Sequence, residues 1–118
     1  METFTVSSAE FAALSQASNA LAAAQAAFTK DDRATAMAHL ERVRVLLPEP
    51  GLEPTRRMRL QAELGLAQMR LAAGDLAEAR ARANAYETLS TAWFPDDAVC
   101  RERAEKVQRE IDAKDPCD

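Results

Sequence analysis

The chain has 118 residues and a formal charge of −4; 47% of its residues are hydrophobic, yet only 5% are aromatic. That length fits one domain burying roughly two-thirds of the surface its unfolded form exposes. The acidic balance disfavours nucleic acid as the main partner, and no run of about 18 apolar residues exists to span a membrane. Alanine supplies much of the apolar count, and three glycines and five prolines leave long segments without breakers. An all-α domain of about five helices is expected.

The first helix is expected to start in "SSAE", where Ser7 and Glu10 have the spacing of a capping box. Phe11, Leu14, Leu21 and Phe28 then recur at helical spacing, and the pattern ends near Thr29–Lys30. Asp31 or Asp32 caps a second helix whose apolar stripe is Ala36, Leu40, Val43 and Leu47. Pro48, Pro50 and Gly51 stop it, and "PEPGLEPT" reads as a loop. Pro54 suits the first turn of a third helix, where a missing amide hydrogen costs nothing. This helix has two apolar stripes, Leu60, Leu64, Ala67, Leu71 and Met58, Ala62, Leu66, Met69. Both sides should be covered, which makes it the centre of the domain.

In "LAAGDLAEARARANAY" Gly74 can adopt the left-handed conformation that ends a helix. Asp75 can cap the next one, with Glu78 completing a second capping box. The fourth helix offers Leu76, Ala79, Ala83, Tyr86 and Leu89 to a core. "AWFPDD" breaks it, and Asp96 or Asp97 starts a fifth helix with Cys100, Ala104, Val107 and Ile111 on its buried stripe. "DAKDPCD" reads as a frayed end. The organisation expected is a hairpin over 8–47, a linker over 48–54, a hairpin over 55–92 and a cap helix over 96–114.

A turn as short as Gly74–Asp75 lays its two helices side by side and antiparallel. A shift of 43 residues brings Leu21 onto Leu64, Gln25 onto Gln68, Asp32 onto Asp75 and Leu46 onto Leu89. Several alanines also coincide. The pattern is that of a helical hairpin followed by a copy of itself. Here the chain resembles a tetratricopeptide repeat (TPR) protein over roughly residues 17–93. Ala67, Gly74–Asp75 and Ala79 match the family's first-helix small residue, turn and second-helix small residue. Ala24, Asp31–Asp32 and Ala36 match them in the first copy, and Pro48 stands where the family often closes a repeat. Ala20 and Glu63 replace the early bulky aromatic, Asp31 replaces a turn glycine, and the linker is longer than the family's period. The resemblance implies a two-hairpin array, the fifth helix capping it.

No constellation for catalysis stands out. The single histidine, His39, has no acid at helical reach to orient it. Metal-ligand spacing and a glycine-rich phosphate loop are missing, so no cofactor is expected. The pairs Asp31–Asp32 and Asp96–Asp97 are explained by helix capping. The cluster Arg56, Arg57, Arg59, with Arg42 and Arg44 nearby, is either a solvated helix face or a local anion site. Cys100 and Cys117 would lie about 25 Å apart along a helix, too far to bridge. Cys100 reads as a small core residue and Cys117 as an exposed thiol, which with the absence of a basic, apolar leader in "METFTVSSAEF" suits a reducing, cytoplasmic setting.

Binding is the stronger reading. In a TPR-like array the first helix of each hairpin lines a concave groove. Ser18, Leu21, Gln25 and Phe28 would face it in one copy, and Gln61, Leu64, Gln68 and Leu71 in the next. Such a surface seats an extended peptide or an amphipathic helix of a partner protein. Alternatively the fifth helix, or a second protomer in a homodimer, covers it. Trp93 and Phe94 are either a plug under the cap helix or an exposed anchor. The expected function is a non-enzymatic interaction module, the alternative a homo-oligomeric scaffold or regulatory subunit.

Overall fold

Long alanine-rich runs separated by aspartate and proline signals fold as five helices in the computed structural model. It describes residues Ser8–Asp115, Ser8 through its backbone alone. The elements are α1 (Ser8–Thr29), α2 (Arg33–Leu46), α3 (Glu53–Ala72), α4 (Leu76–Trp93) and α5 (Ala98–Lys114). The fold is all-α, as expected. Ser7, Cys117 and Asp118, which figure in the sequence reading, lie outside the described residues. Two compact units divide the chain, one up to Arg59 and one from Leu60 onward, with the boundary inside α3.

In the first unit α1 packs against α2. The inward face of α1 is entirely alanine: Ala17, Ala20, Ala24 and Ala27 are buried. From α2 and its C-cap, Ala36, Leu40, Val43 and Leu47 are buried, the stripe expected. The large apolar residues of α1 behave otherwise. Phe11 is 58% exposed and Phe28 49%, while Leu14 and Leu21 are half-buried. The stripe Phe11–Leu14–Leu21–Phe28 is therefore not the inward face. Alanine has no side chain beyond Cβ, so it lets two helix backbones approach closely, and the bulky residues are left outside that contact.

In the second unit, residues 60–72 of α3 pack with α4 and α5. Ala67, Leu71, Ala79, Ala83, Val107 and Ile111 form one core cluster, with Leu64 and Leu76 against it. Leu60, Tyr86, Cys100 and Ala104 form another, flanked by Leu64, Leu89, Trp93 and Phe94. On this stretch of α3, Gln61, Gln68 and Ala72 are the exposed positions. Ala62 and Leu66 of the second stripe are fully buried.

The turns after α1 and α3 are the same motif. Asp31 N–H donates to the Phe28 carbonyl (2.9 Å), and Asp32 N–H to that of Ala27 (2.9 Å). Forty-three residues later Gly74 N–H donates to the Leu71 carbonyl (3.0 Å), and Asp75 N–H to that of Arg70 (2.9 Å). Each is a Schellman ending with a left-handed residue, Asp31 at φ 61° and Gly74 at φ 85°. The residue that closes it then caps the next helix: Asp32 accepts from Thr35 N–H and Asp75 from Glu78 N–H. One aspartate both ends a helix and starts another, so no loop is needed.

Because the Asp75 amide is committed to Arg70, the reciprocal half of the expected capping box is not made. Glu78 instead reaches Arg82. At Gly74 a Cβ would meet nothing within 4 Å, so Gly74→Ala tests backbone strain alone. It should cost about 1–2 kcal/mol. Asp31→Gly relieves the same strain but loosens the unfolded chain, for a net gain of about 0.5 kcal/mol. Urea midpoints at constant m-value check both.

Candidate functional site

The linker is held by charged side chains. Glu10, two residues into α1, turns its carboxylate to the start of α3. Its Oε2 accepts hydrogen bonds from Gly51 N–H (2.8 Å), Leu52 N–H (2.9 Å) and the buried Thr55 hydroxyl (2.8 Å). Two of these donors precede α3 and the third lies in its first turn, so Glu10 ties the start of α1 to the start of α3. Arg56 Nε donates to the Pro50 carbonyl (3.0 Å). Arg59 Nη1 donates to the carbonyls of Leu47 and Pro48 (2.8 and 3.0 Å). Arg57 lies near Glu53, and Arg44 pairs with Glu41. Arg56 and Arg59 thus close the end of α2 and the loop after it, a local structural use that the charge pattern alone leaves undecided.

The amides of Gly51 and Leu52 and the Thr55 hydroxyl hold the Glu10 carboxyl below its ordinary value of 4.5, the Gly51 amide contributing most. A lowered folded-state pKa stabilises above the unfolded value, and that contribution fades as pH falls through the folded one. Wild type should therefore be more stable than Glu10→Gln at pH 7. The gap should narrow steadily below about pH 4.5. Chemical unfolding of both proteins across that range measures it.

Beside this clamp α1 bears an open groove of about 300 Å³, lined by Phe11, Leu14, Ser15, Ser18, Asn19 and Met58. Its lining combines apolar side chains with uncharged hydroxyl and amide groups. No charged residue occurs on α1 between Glu10 and Lys30, so nineteen consecutive residues put no charge at the surface. Exposed apolar bulk over an inward alanine face is the reverse of a solvated helix.

Of the residues expected to bind, Gln25 and Phe28 are exposed on α1 and Leu21 is half-buried. Gln61 and Gln68 are exposed on α3, one heptad apart. Leu71 is 8% exposed inside a core cluster, and Leu64 packs against both clusters of its unit. Trp93 and Phe94 lie against Leu60, Tyr86, Cys100 and Ala104, the plug arrangement. The groove-lining residues Phe11, Leu14, Ser15, Asn19 and Met58 were not singled out for binding by sequence. The signal available was the charge-free run of α1.

For chemistry the structure offers little. Burial, with the Cys100 thiol beside it, pushes the Tyr86 phenol up to about 12, so it stays neutral near pH 7. His39 is half-buried on α2. Asp32 and Asp97 are N-caps. Among the described residues no group of three or more His, Cys, Asp or Glu side chains could hold a metal ion. Among them, too, no helix is long and apolar enough to cross a membrane. No family model matches the chain, and neither does any curated protein or solved structure.

Proposed function

We propose that this chain is a non-enzymatic, TPR-like interaction module that seats a helix or peptide of a protein partner on the outward face of α1. The observation that carries the reading is the inverted helix: alanines buried, Phe11 and Phe28 outside, and a neutral groove between Leu14 and Met58. Such a surface gains free energy when apolar area leaves water, and its hydroxyl and amide groups pair with backbone or neutral side chains. The recurrence of one Schellman turn after 43 residues supports the repeat reading. The buried thiol of Cys100 fits a reducing, cytoplasmic setting.

The test is capture from a native extract with three baits: wild type, Ser18→Arg in the groove wall, and Val99→Arg on exposed α5. Partners should stay with wild type and Val99→Arg and be lost from Ser18→Arg. Equal retention on all three would move the site off α1. A self-associating scaffold is the second reading, favoured by the neutrality of the same face.

A further inference from the structure

We infer that the helix received by this face is α1 of a second copy of the chain, packed antiparallel about a two-fold axis near residue 20. The inference rests on the interaction-module reading and supplies its partner. Charge decides in favour of self-pairing. Copies of a chain with net charge −4 repel one another in general. The exposed faces of α2 to α5 carry many ionised side chains, whereas α1 has none from Phe11 to Thr29. Here two copies can meet with no like charges opposed and no buried charge left unpaired.

The spacing suits an isologous contact. The exposed stripe is Phe11, Ser15, Ser18, Ala22, Gln25 and Thr29, separated by four, three, four, three and four residues. That order reads the same in both directions. In an antiparallel pair it sets Ser18 against Ala22 of the second copy and Ser15 against Gln25, a hydroxyl facing an amide. Both groups donate and accept, so each finds a partner. The helix dipoles oppose, which also favours this sense.

The groove gives the contact its anchor. Leu14, Leu21 and Phe28 are seven residues apart on one flank of α1, and the two-fold keeps that flank on the same side in both copies. Phe28 of the second copy then arrives near residue 12, beside the groove lined by Phe11, Leu14, Ser15 and Met58. A cavity of 150 Å³ already admits benzene, and this groove has about 300 Å³. Each copy fills the other's groove with the phenyl ring it leaves exposed. The contact is reciprocal, as a two-fold interface requires.

Sedimentation equilibrium on the full chain tests this. Wild type should show a monomer–dimer equilibrium. Ser18→Glu and Ala22→Lys each set a charge against its own copy's neutral stripe and should weaken it by about a hundredfold. Mixed in equal amounts, the two variants should recover a dimer, since antiparallel packing brings Glu at 18 onto Lys at 22. Helical circular dichroism confirms that both fold. A wild type that is monomeric at every concentration overturns the inference, as does a dimer indifferent to both substitutions or variants that fail to recover on mixing. A monomer from which Ser18→Arg still strips a different protein would sink self-pairing alone. A monomer whose partners ignore Ser18→Arg would sink the interaction reading as well.

Discussion

Arg82→Met should destabilise the protein by about 3 kcal/mol, lowering its melting temperature by on the order of 10 °C. Glu63 is 0% exposed, and its Oε1 accepts a hydrogen bond of 2.7 Å from Arg82 Nη1. Arg82 Nε lies 3.2 Å from Glu78 Oε1, out of hydrogen-bond alignment. Removing the guanidinium takes a short, charge-assisted contact from a fully buried carboxylate, whose desolvation is then less compensated. Arg82→Lys should recover only part of the loss, because a compact ammonium does not reproduce the planar guanidinium's reach and directed Nη1 hydrogen bond to Glu63. Exchanging both members, Glu63→Leu with Arg82→Leu, should cost less than the single Arg82→Met, since the buried Glu63 carboxylate is removed with its Arg82 partner. Thermal unfolding of the four proteins decides the matter. A single variant within about 0.5 kcal/mol of wild type would show that the pair contributes little.

Ile111→Ala should cost about 3 kcal/mol. Ile111 is buried among Ala67, Leu71, Ala79, Ala83 and Val107. Three of these neighbours are alanines held on helix backbones, so little side chain is available to collapse into the space. Phe28→Ala removes more atoms, yet should change stability by no more than about 0.5 kcal/mol, because the ring lies largely outside the core. The contrast is diagnostic. If hydrophobicity alone assigned the core of α1, the phenylalanine would be the costlier loss. Denaturant titrations of both variants, with m-values compared to wild type, check it.

Much of the fold can be read from local signals. Helix number and approximate ends follow from caps and breakers: Asp32, Asp75 and Asp97 are the N-caps seen, and Pro48 to Gly51 lie in the loop. The buried stripes of α2 and α5 are those their spacing predicts, because charged residues fill their other faces. On α1 that guide fails. Apolar and small residues surround the helix, so periodicity cannot say which side turns inward. Large side chains point to the wrong one, since close approach between helices selects alanine.

The linker was equally hidden. Glu10 reads as half of a local capping box, yet its carboxylate also takes donors more than forty residues away. Its carboxylate meets three donors at the start of α3 that no nearby side chain satisfies. Arg56 and Arg59 read as a basic patch, but loop carbonyls take up their donors. Long-range pairing of this kind leaves no spacing rule in the chain. The groove shares this property, for it needs Met58 beside Leu14.

We propose that the outer face of α1 serves contact and not stability. Phe28→Glu examined by sedimentation equilibrium and urea unfolding together tests it most directly. An unfolding midpoint close to that of wild type, with self-association lost, is expected. A variant that keeps its association while losing several kcal/mol of stability would contradict it, placing the ring in the core.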